Sequence, residues 1–325
     1  MTEQLDTLQS ASLSELGLGC WSFGDPYWMK TARNGRDITP AFHRKYKKII
    51  RSATGFGIRH FDTAQGYGGG LSEQITGQAL KQHRSSVRIA SKTFLRPPET
   101  MIRGIEKSLR RMQTDYIDIF YLHWPKPGRD LRPHIEALEQ ARSRGLICSI
   151  GLSNFQPSQI LPLMNAGRID FCQFGYSLLW RIAEKNLIPF CLEHGIHMVS
   201  YSSLAQGFLA HDSSWSGFLP PDDPRRRLVF AAPEHSAELQ RVLRKFSALA
   251  ADADFPPAQL ALLWNLSRGW FTYVLFGARD MKQLEECAAS RSRIPGRGLI
   301  EELKILTDPL AEELAGRDNI FGHSP

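Results

Sequence analysis

Cysteine is scarce and scattered in this sequence: Cys20, Cys148, Cys172, Cys191 and Cys287 are the only five among 325 residues, and none forms a C-x-x-C pair. That odd, dispersed set argues against a disulfide framework or a zinc ribbon, and reduced core thiols in a cytoplasmic protein are the expectation. Long apolar runs are missing too. Nothing approaches the roughly 18 consecutive residues that would span a bilayer, so no membrane partner is expected. The opening segment MTEQLDTLQS is polar and carries no basic-then-apolar pattern, so no signal peptide is read there. Neither sign of charge dominates: 40 basic against 33 acidic residues give a net charge of +7, and no interleaving of aromatic with basic side chains suggests nucleic acid. The densest basic cluster, Arg225, Arg226 and Arg227, lies among Pro220, Pro221 and Pro224. It reads as a solvated loop, with an anion-binding patch as the sharper alternative. Several chemistries lack their motifs. No strand runs into G-x-G-x-x-G, and there is no G-x-x-x-x-G-K-[ST], H-E-x-x-H or G-x-S-x-G.

What is present is a chain with 42% hydrophobic and 10% aromatic residues, enough for a sizeable core. Short runs, apolar on both faces, fall at 13–23, 59–64, 87–92, 116–123, 147–152, 171–176, 197–202 and 273–276. Helical spacing fills the gaps between them, at 41–54, 72–82, 98–112, 131–144, 158–165, 183–194, 237–251, 257–268, 281–289 and 299–314. Eight strands alternating with helices predict a parallel sheet covered by helices, most simply a (β/α)8 barrel. A doubly wound open sheet is the alternative. Residues 1–325 read as one domain, with lid-like inserts near 25–36 and 205–233.

In such a barrel, chemistry gathers at the C-terminal ends of the strands. The second strand ends in Asp62, and Tyr67 stands in the Gly-rich loop that follows. The third ends in Lys92, the fourth in His123 with Trp124 after it, and the fifth in Ser153 and Asn154. The sixth carries Gln173, the seventh ends in Tyr201 and Ser202, and the eighth ends in Gly277 with Arg279 just beyond. Each residue alone has an ordinary reading as a cap, a turn former or core. Four different ionisable groups at one mouth have a joint logic. Lys92 beside Tyr67 would lower the phenol pKa, Asp62 would hold Lys92 in place, and His123 would orient a carbonyl or help pass its proton. That set protonates a carbonyl oxygen as its carbon gains a hydride, and the hydride must come from nicotinamide or flavin. Ser153, Asn154 and Gln173 suit a nicotinamide carboxamide, and Tyr201 suits stacking on its ring. The eighth strand ends at glycine before a helix, where an anion is favoured, and Arg279 adds a phosphate-matching fork. That favours NADP(H). Trp21, Tyr27, Trp28 and Trp124 are candidates for apolar pocket walls.

The chain resembles the aldo-keto reductase family over nearly its whole length. The resemblance rests on FDTAQGYG at 61–68, Lys92 closing IASK, YLHWP at 121–125, GLSNF at 151–155, Gln173, YSSLAQGFL at 201–209, QLALLWNL at 259–266 and LFGARDMKQLEE at 275–286. It implies a (β/α)8 barrel and NADP(H)-dependent reduction of aldehydes or ketones without metal or flavin, with a small carbonyl compound as partner. It also implies that Asp62, Tyr67, Lys92 and His123 form the catalytic tetrad, with Tyr67 as acid and base. By the same resemblance Ser153, Asn154, Gln173 and Tyr201 meet the nicotinamide, and Ser202, Leu204, Gln206 and Gly207 meet the pyrophosphate. Gly277, Ala278, Arg279, Gln283 and Glu286 meet the adenosine phosphate end. Three positions depart from the family pattern. Ser203 and Phe276 stand where proline is usual, and Cys287 stands where an asparagine usually meets adenine. Two other roles fit the same residues: a cofactor-binding interaction subunit with little turnover, and a keto-sugar reductase of a biosynthetic pathway.

Overall fold

The computed structural model describes residues 15–24, 39–211, 219, 223–292, 295–317 and 319–321. Eight parallel strands close on one another in chain order, β1 pairing with both β2 and β8. They are β1 (Glu15–Gly19), β2 (His60–Asp62), β3 (Arg88–Thr93), β4 (Ile117–Leu122), β5 (Ile147–Ser153), β6 (Phe171–Gly175), β7 (His197–Tyr201) and β8 (Phe271–Phe276). Closure settles the choice between barrel and open sheet: this is a (β/α)8 barrel.

Ten α-helices surround it among the described residues. They are α1 (Pro40–Gly55), α2 (Leu71–Leu80), α3 (Met101–Met112), α4 (Arg132–Ser143), α5 (Pro157–Ile160), α6 (Leu187–Glu193), α7 (Ser236–Asp252), α8 (Pro257–Ser267), α9 (Met281–Ala288) and α10 (Arg297–Glu313). The expected helix at 183–194 begins late, as a 3-10 turn over Ile182–Glu184 and then α6. Pro189 is the reason. It has no N–H to donate, so it is tolerated only in a first turn, and the helix starts two residues before it. The expected helix at 158–165 likewise shrinks to α5 followed by a 3-10 segment over Leu161–Asn165 that contains Pro162.

Period-two alternation sorts the strand side chains into two cores. Ala90, Ile119, Tyr121, Phe171, Val199, Tyr273 and Leu275 fill the barrel interior. Their neighbours in sequence, such as Phe61, Ile89, Phe120, Leu122, Ile150, Leu152 and Val274, point outward into the strand–helix layer. Gly151 belongs to the inner set for a steric reason: a Cβ there would lie 2.3 Å from the Tyr121 ring. The same alternation carries Asp62, Lys92, Ser153, Gln173 and Tyr201 inward at the top of their strands. Their residue types there are set by the alternation and by the strand ends together.

Candidate active site

The site is assembled from β2, β3, β4, β5, β6 and β7. Asp62 and Lys92 are 4% and 1% exposed, and they form an ion pair with Lys92 Nζ 2.5 Å from Asp62 Oδ1. A buried pair costs much desolvation unless its remaining hydrogens and lone pairs are satisfied. Here they are. Lys92 also donates to the Thr63 carbonyl at 2.9 Å, and Asp62 Oδ2 accepts from Gln173 Nε2 at 2.8 Å. From Gln173 the chain of contacts continues. Ser153 Oγ donates to Gln173 Oε1 (3.4 Å), Asn154 Nδ2 donates to Ser153 Oγ (3.1 Å), and the Tyr201 hydroxyl donates to Asn154 Oδ1 (2.6 Å). Asn154 sits at φ 68° and also donates to the His123 carbonyl at 3.1 Å. Asp62 and Lys92 thus share one connected polar network with the nicotinamide candidates and the His123 carbonyl, in which fixing any member fixes its neighbours.

Tyr67 opens a 3-10 turn, Tyr67–Gly70, directly above Asp62 and Lys92. Gly68 follows at φ 58°, and a Cβ there would lie 1.7 Å from the Gly24 carbonyl, so only glycine fits. The loop is tied down on three sides. Thr63 Oγ1 donates to Ser72 Oγ, which donates to the Cys20 carbonyl; Gln65 donates to Gly104 O and Ser108 Oγ of α3; Tyr67 N reaches Ala64 O. Lys92 Nζ lies 5.1 Å from the Tyr67 ring centroid. The expected lowering of the phenol pKa is not found. Burial first, then the Asp62 charge, push Tyr67 well above the usual tyrosine range. The hydrogens of Lys92 are directed to Asp62 and Thr63, so its charge is largely neutralised locally.

His123 meets the Tyr67 ring edge-on at 5.8 Å and stacks on Phe94 at 4.7 Å. Burial and the nearby Lys92 hold its pKa well below the usual histidine value, so the imidazole is neutral. Its Nδ1 is buried with no hydrogen-bond partner among the described residues. Phe94 was not singled out from the sequence, and neither was Phe321. The latter ring packs 6.1 Å from Trp124 and lies nearly parallel to Tyr201 at 6.5 Å. Trp124 is 7% exposed, while Trp21, just after β1, is 40% exposed. Tyr27 and Trp28 lie outside the described residues, as do 25–36 and, in the second insert, 212–218 and 220–222.

Beyond β7 the backbone holds four consecutive or near-consecutive left-handed residues: Ser202 (φ 55°), Ala205 (48°), Gln206 (56°) and Gly207 (94°). Strain of this kind is held by surrounding contacts and clusters at ligand sites. Asn265 of α8 is one such contact, donating to the Ser203 carbonyl at 3.2 Å; Gln206 Nε2 donates to Ser202 Oγ at 2.6 Å. Leu204 shares this turn. The guanidinium of Arg225 lies 5.6 Å from the Phe208 ring and pairs with Asp223 at 2.7 Å, so that basic cluster is partly neutralised. At the far end, Gly277 and Arg279 are exposed and Ala278 is buried. The N-terminus of α9 is already capped: Asp280 accepts from Gln283 N (2.9 Å), and Gln283 accepts from Arg279 N (2.8 Å). Glu286 is half-buried, and burial pushes the Cys287 thiol up to about 12.

The residues therefore fit a dinucleotide along one edge of the mouth. They offer an amide and hydroxyl set, a tyrosine face, a strained turn and an arginine, in that order from β5 to α9. The model of the Aldo/keto reductase family matches residues 15–295. The chain is 30% identical to aldo-keto reductase YhdN of Bacillus subtilis, over 84% of this chain and 83% of that one. It is 30% identical to the NADH-specific methylglyoxal reductase of Escherichia coli, over 86% and 90%. Among solved structures, it superimposes on an aldo/keto reductase from Klebsiella pneumoniae in complex with NADP and acetate, with a TM-score of 0.71, 25% identity, and coverage of 92% and 93%.

Proposed function

The chain belongs to the aldo/keto reductase family, and from that premise we propose that it reduces an aldehyde or ketone to the alcohol with NADP(H), with Tyr67 as the proton donor. Reduced nicotinamide, when bound, supplies the hydride. Tyr201 offers its ring face, while Asn154, Ser153 and Gln173 hold an amide group. Neutral His123 donates a ring N–H hydrogen bond to the substrate oxygen; burial keeps it from carrying a second, transferable proton, which leaves proton delivery to Tyr67. Tyr67 keeps its proton at neutral pH and delivers it as negative charge develops on that oxygen. Lys92, held by Asp62, is the nearest cation to the tyrosinate left behind. The observation that carries this reading is the convergence of Asp62, Lys92, Tyr67 and His123 from three adjacent strands. Tyr67→Phe should lower kcat on an accepted carbonyl by about a thousandfold, the middle of the range for a general acid, and leave NADPH affinity within a factor of about two. Near-wild-type turnover would remove Tyr67 from the role.

Preference for NADP(H) rests on exposed Arg279. One observation favours a second reading, acceptance of NADH as well: Asp280 places a carboxylate at the same helix end. Tryptophan fluorescence titrations with NADPH and NADH decide between the two. At least tenfold tighter binding of NADPH, lost in Arg279→Gln, supports the phosphate site; equal binding in both proteins removes it.

A further inference from the structure

Helix α1 carries Arg44, Lys45, Lys47, Lys48 and Arg51 and no acidic residue. Arg44, Lys47, Lys48 and Arg51 fall at i, i+3, i+4 and i+7, so they stack on one helical face. Together with Ser52 they line a surface cavity of about 290 Å³. Among the described residues none of the four is paired with a carboxylate. Lys47 Nζ donates to Gln78 Oε1 at 3.1 Å, and Arg51 Nε reaches the Ala79 carbonyl at 3.5 Å. Four like-charged neighbour pairs (44 with 47, 44 with 48, 47 with 51, 48 with 51) destabilise the free helix, and nothing on α1 offsets them. The stripe is also separate from the proposed cofactor site. Buried Tyr46, on the other side of α1, is the residue that feels the charges of Arg279 and Asp280. The stripe leans instead toward α2.

We propose that this stripe binds a small polyanion of the polyphosphate class. Its length from residue 44 to 51 is about 10 Å at the helical rise, which suits a short chain of phosphates. It carries neither an aromatic ring for stacking bases nor an aliphatic side chain for entering a bilayer, so nucleic acid and lipid are poorer fits. Lysine and arginine heads on flexible stems take phosphate oxygens as point charges and forks respectively.

The test is thermal unfolding with and without inorganic tripolyphosphate, with saturating NADPH present throughout. Tripolyphosphate at millimolar concentration should raise the Tm of the wild-type protein, less so at high salt. Arg44→Gln/Lys48→Gln, at two exposed positions, should raise the Tm without the anion by about 1 °C through relief of repulsion. The same variant should bind tripolyphosphate about tenfold more weakly. Arg279→Gln should keep the wild-type response. No Tm rise in the wild-type protein overturns the proposal. So does an equal rise in the double variant, which would place the anion elsewhere. Retention on phosphatidylserine vesicles without any response to tripolyphosphate would also overturn it, in favour of a membrane surface.

Discussion

His60 shows how much a single buried side chain can be asked to tolerate. It is fully buried inside the barrel, stacked on Tyr273 at 3.9 Å, and neither ring nitrogen has a hydrogen-bond partner among the described residues. Burial, with Lys92 and Arg88 nearby, lowers its pKa to about 3. A histidine lowered in the folded state is neutral there but protonates in the unfolded chain below about 6.5. Its contribution is therefore fully present above pH 6.5 and is lost as pH falls toward 3. His60→Phe keeps the stacked ring without the proton. Relative to the wild-type protein, the variant should gain roughly 2 kcal/mol in urea unfolding between pH 7 and pH 5. An unchanged difference between the two pH values would mean that His60 is not desolvated as described. Lys92 and Asp62 solve the opposite problem, staying buried as an ion pair in which Lys92 also donates to the Thr63 carbonyl and the second Asp62 oxygen accepts from Gln173.

Elements place these residues, and the Tyr67 loop shows how. Glu73, fully buried at the start of α2, accepts from Ser91 Oγ at 2.6 Å and pairs with Arg111 of α3 at 2.8 Å. Ser91 directly precedes Lys92, and the Arg111 guanidinium packs against Gly70, where a Cβ would come within 2.4 Å. One carboxylate thus joins the strand that carries Lys92 to the loop that carries Tyr67. Glu73→Gln should cost about 1–2 kcal/mol of stability, Arg111 being partly solvated, and lower kcat by about tenfold through misplacement of the phenol. Full kcat with lowered Tm would leave Glu73 a purely structural role. This clamp was not legible in the sequence, because its three members are 18 and 38 residues apart and no local pattern joins them. The strand ends were legible. Each barrel strand is short, stops at a residue type that suits a mouth, and is followed by a turn, so Asp62, Lys92, His123, Ser153, Gln173 and Tyr201 could be placed before any coordinates. Helix starts were less so where proline intervened, as at α6. At α9 the strand end and Arg279 were readable, but the cap formed by Asp280 and Gln283 was not, since side-chain direction decides it.

At the level of the whole molecule the barrel mouth is completed by a segment from the far end of the chain. Ile320 is 1% exposed, its carbonyl accepts from Val229 N at 2.9 Å, and its side chain packs beside Gly175 at the end of β6. That anchor sets Phe321 against Trp124 and Tyr201. The segment has no periodicity and no motif, which is why sequence reading passed over it. Its two side chains have separable consequences. Ile320→Ala removes a buried aliphatic side chain and should cost about 2–3 kcal/mol in stability. Phe321 is half-buried, so Phe321→Ala should cost less than about 1 kcal/mol in stability. It should raise KM about fivefold for a carbonyl compound bulky enough to reach Trp124, with kcat changed little, because apolar contact at a pocket wall acts on ground and transition states alike. Steady-state kinetics on one small and one aromatic aldehyde distinguish the outcomes. A fivefold rise confined to the aromatic substrate assigns Phe321 to the pocket. An equal rise for both, or a fall in kcat instead, would mean that the ring acts through Tyr201 and the cofactor edge of the mouth rather than on the substrate.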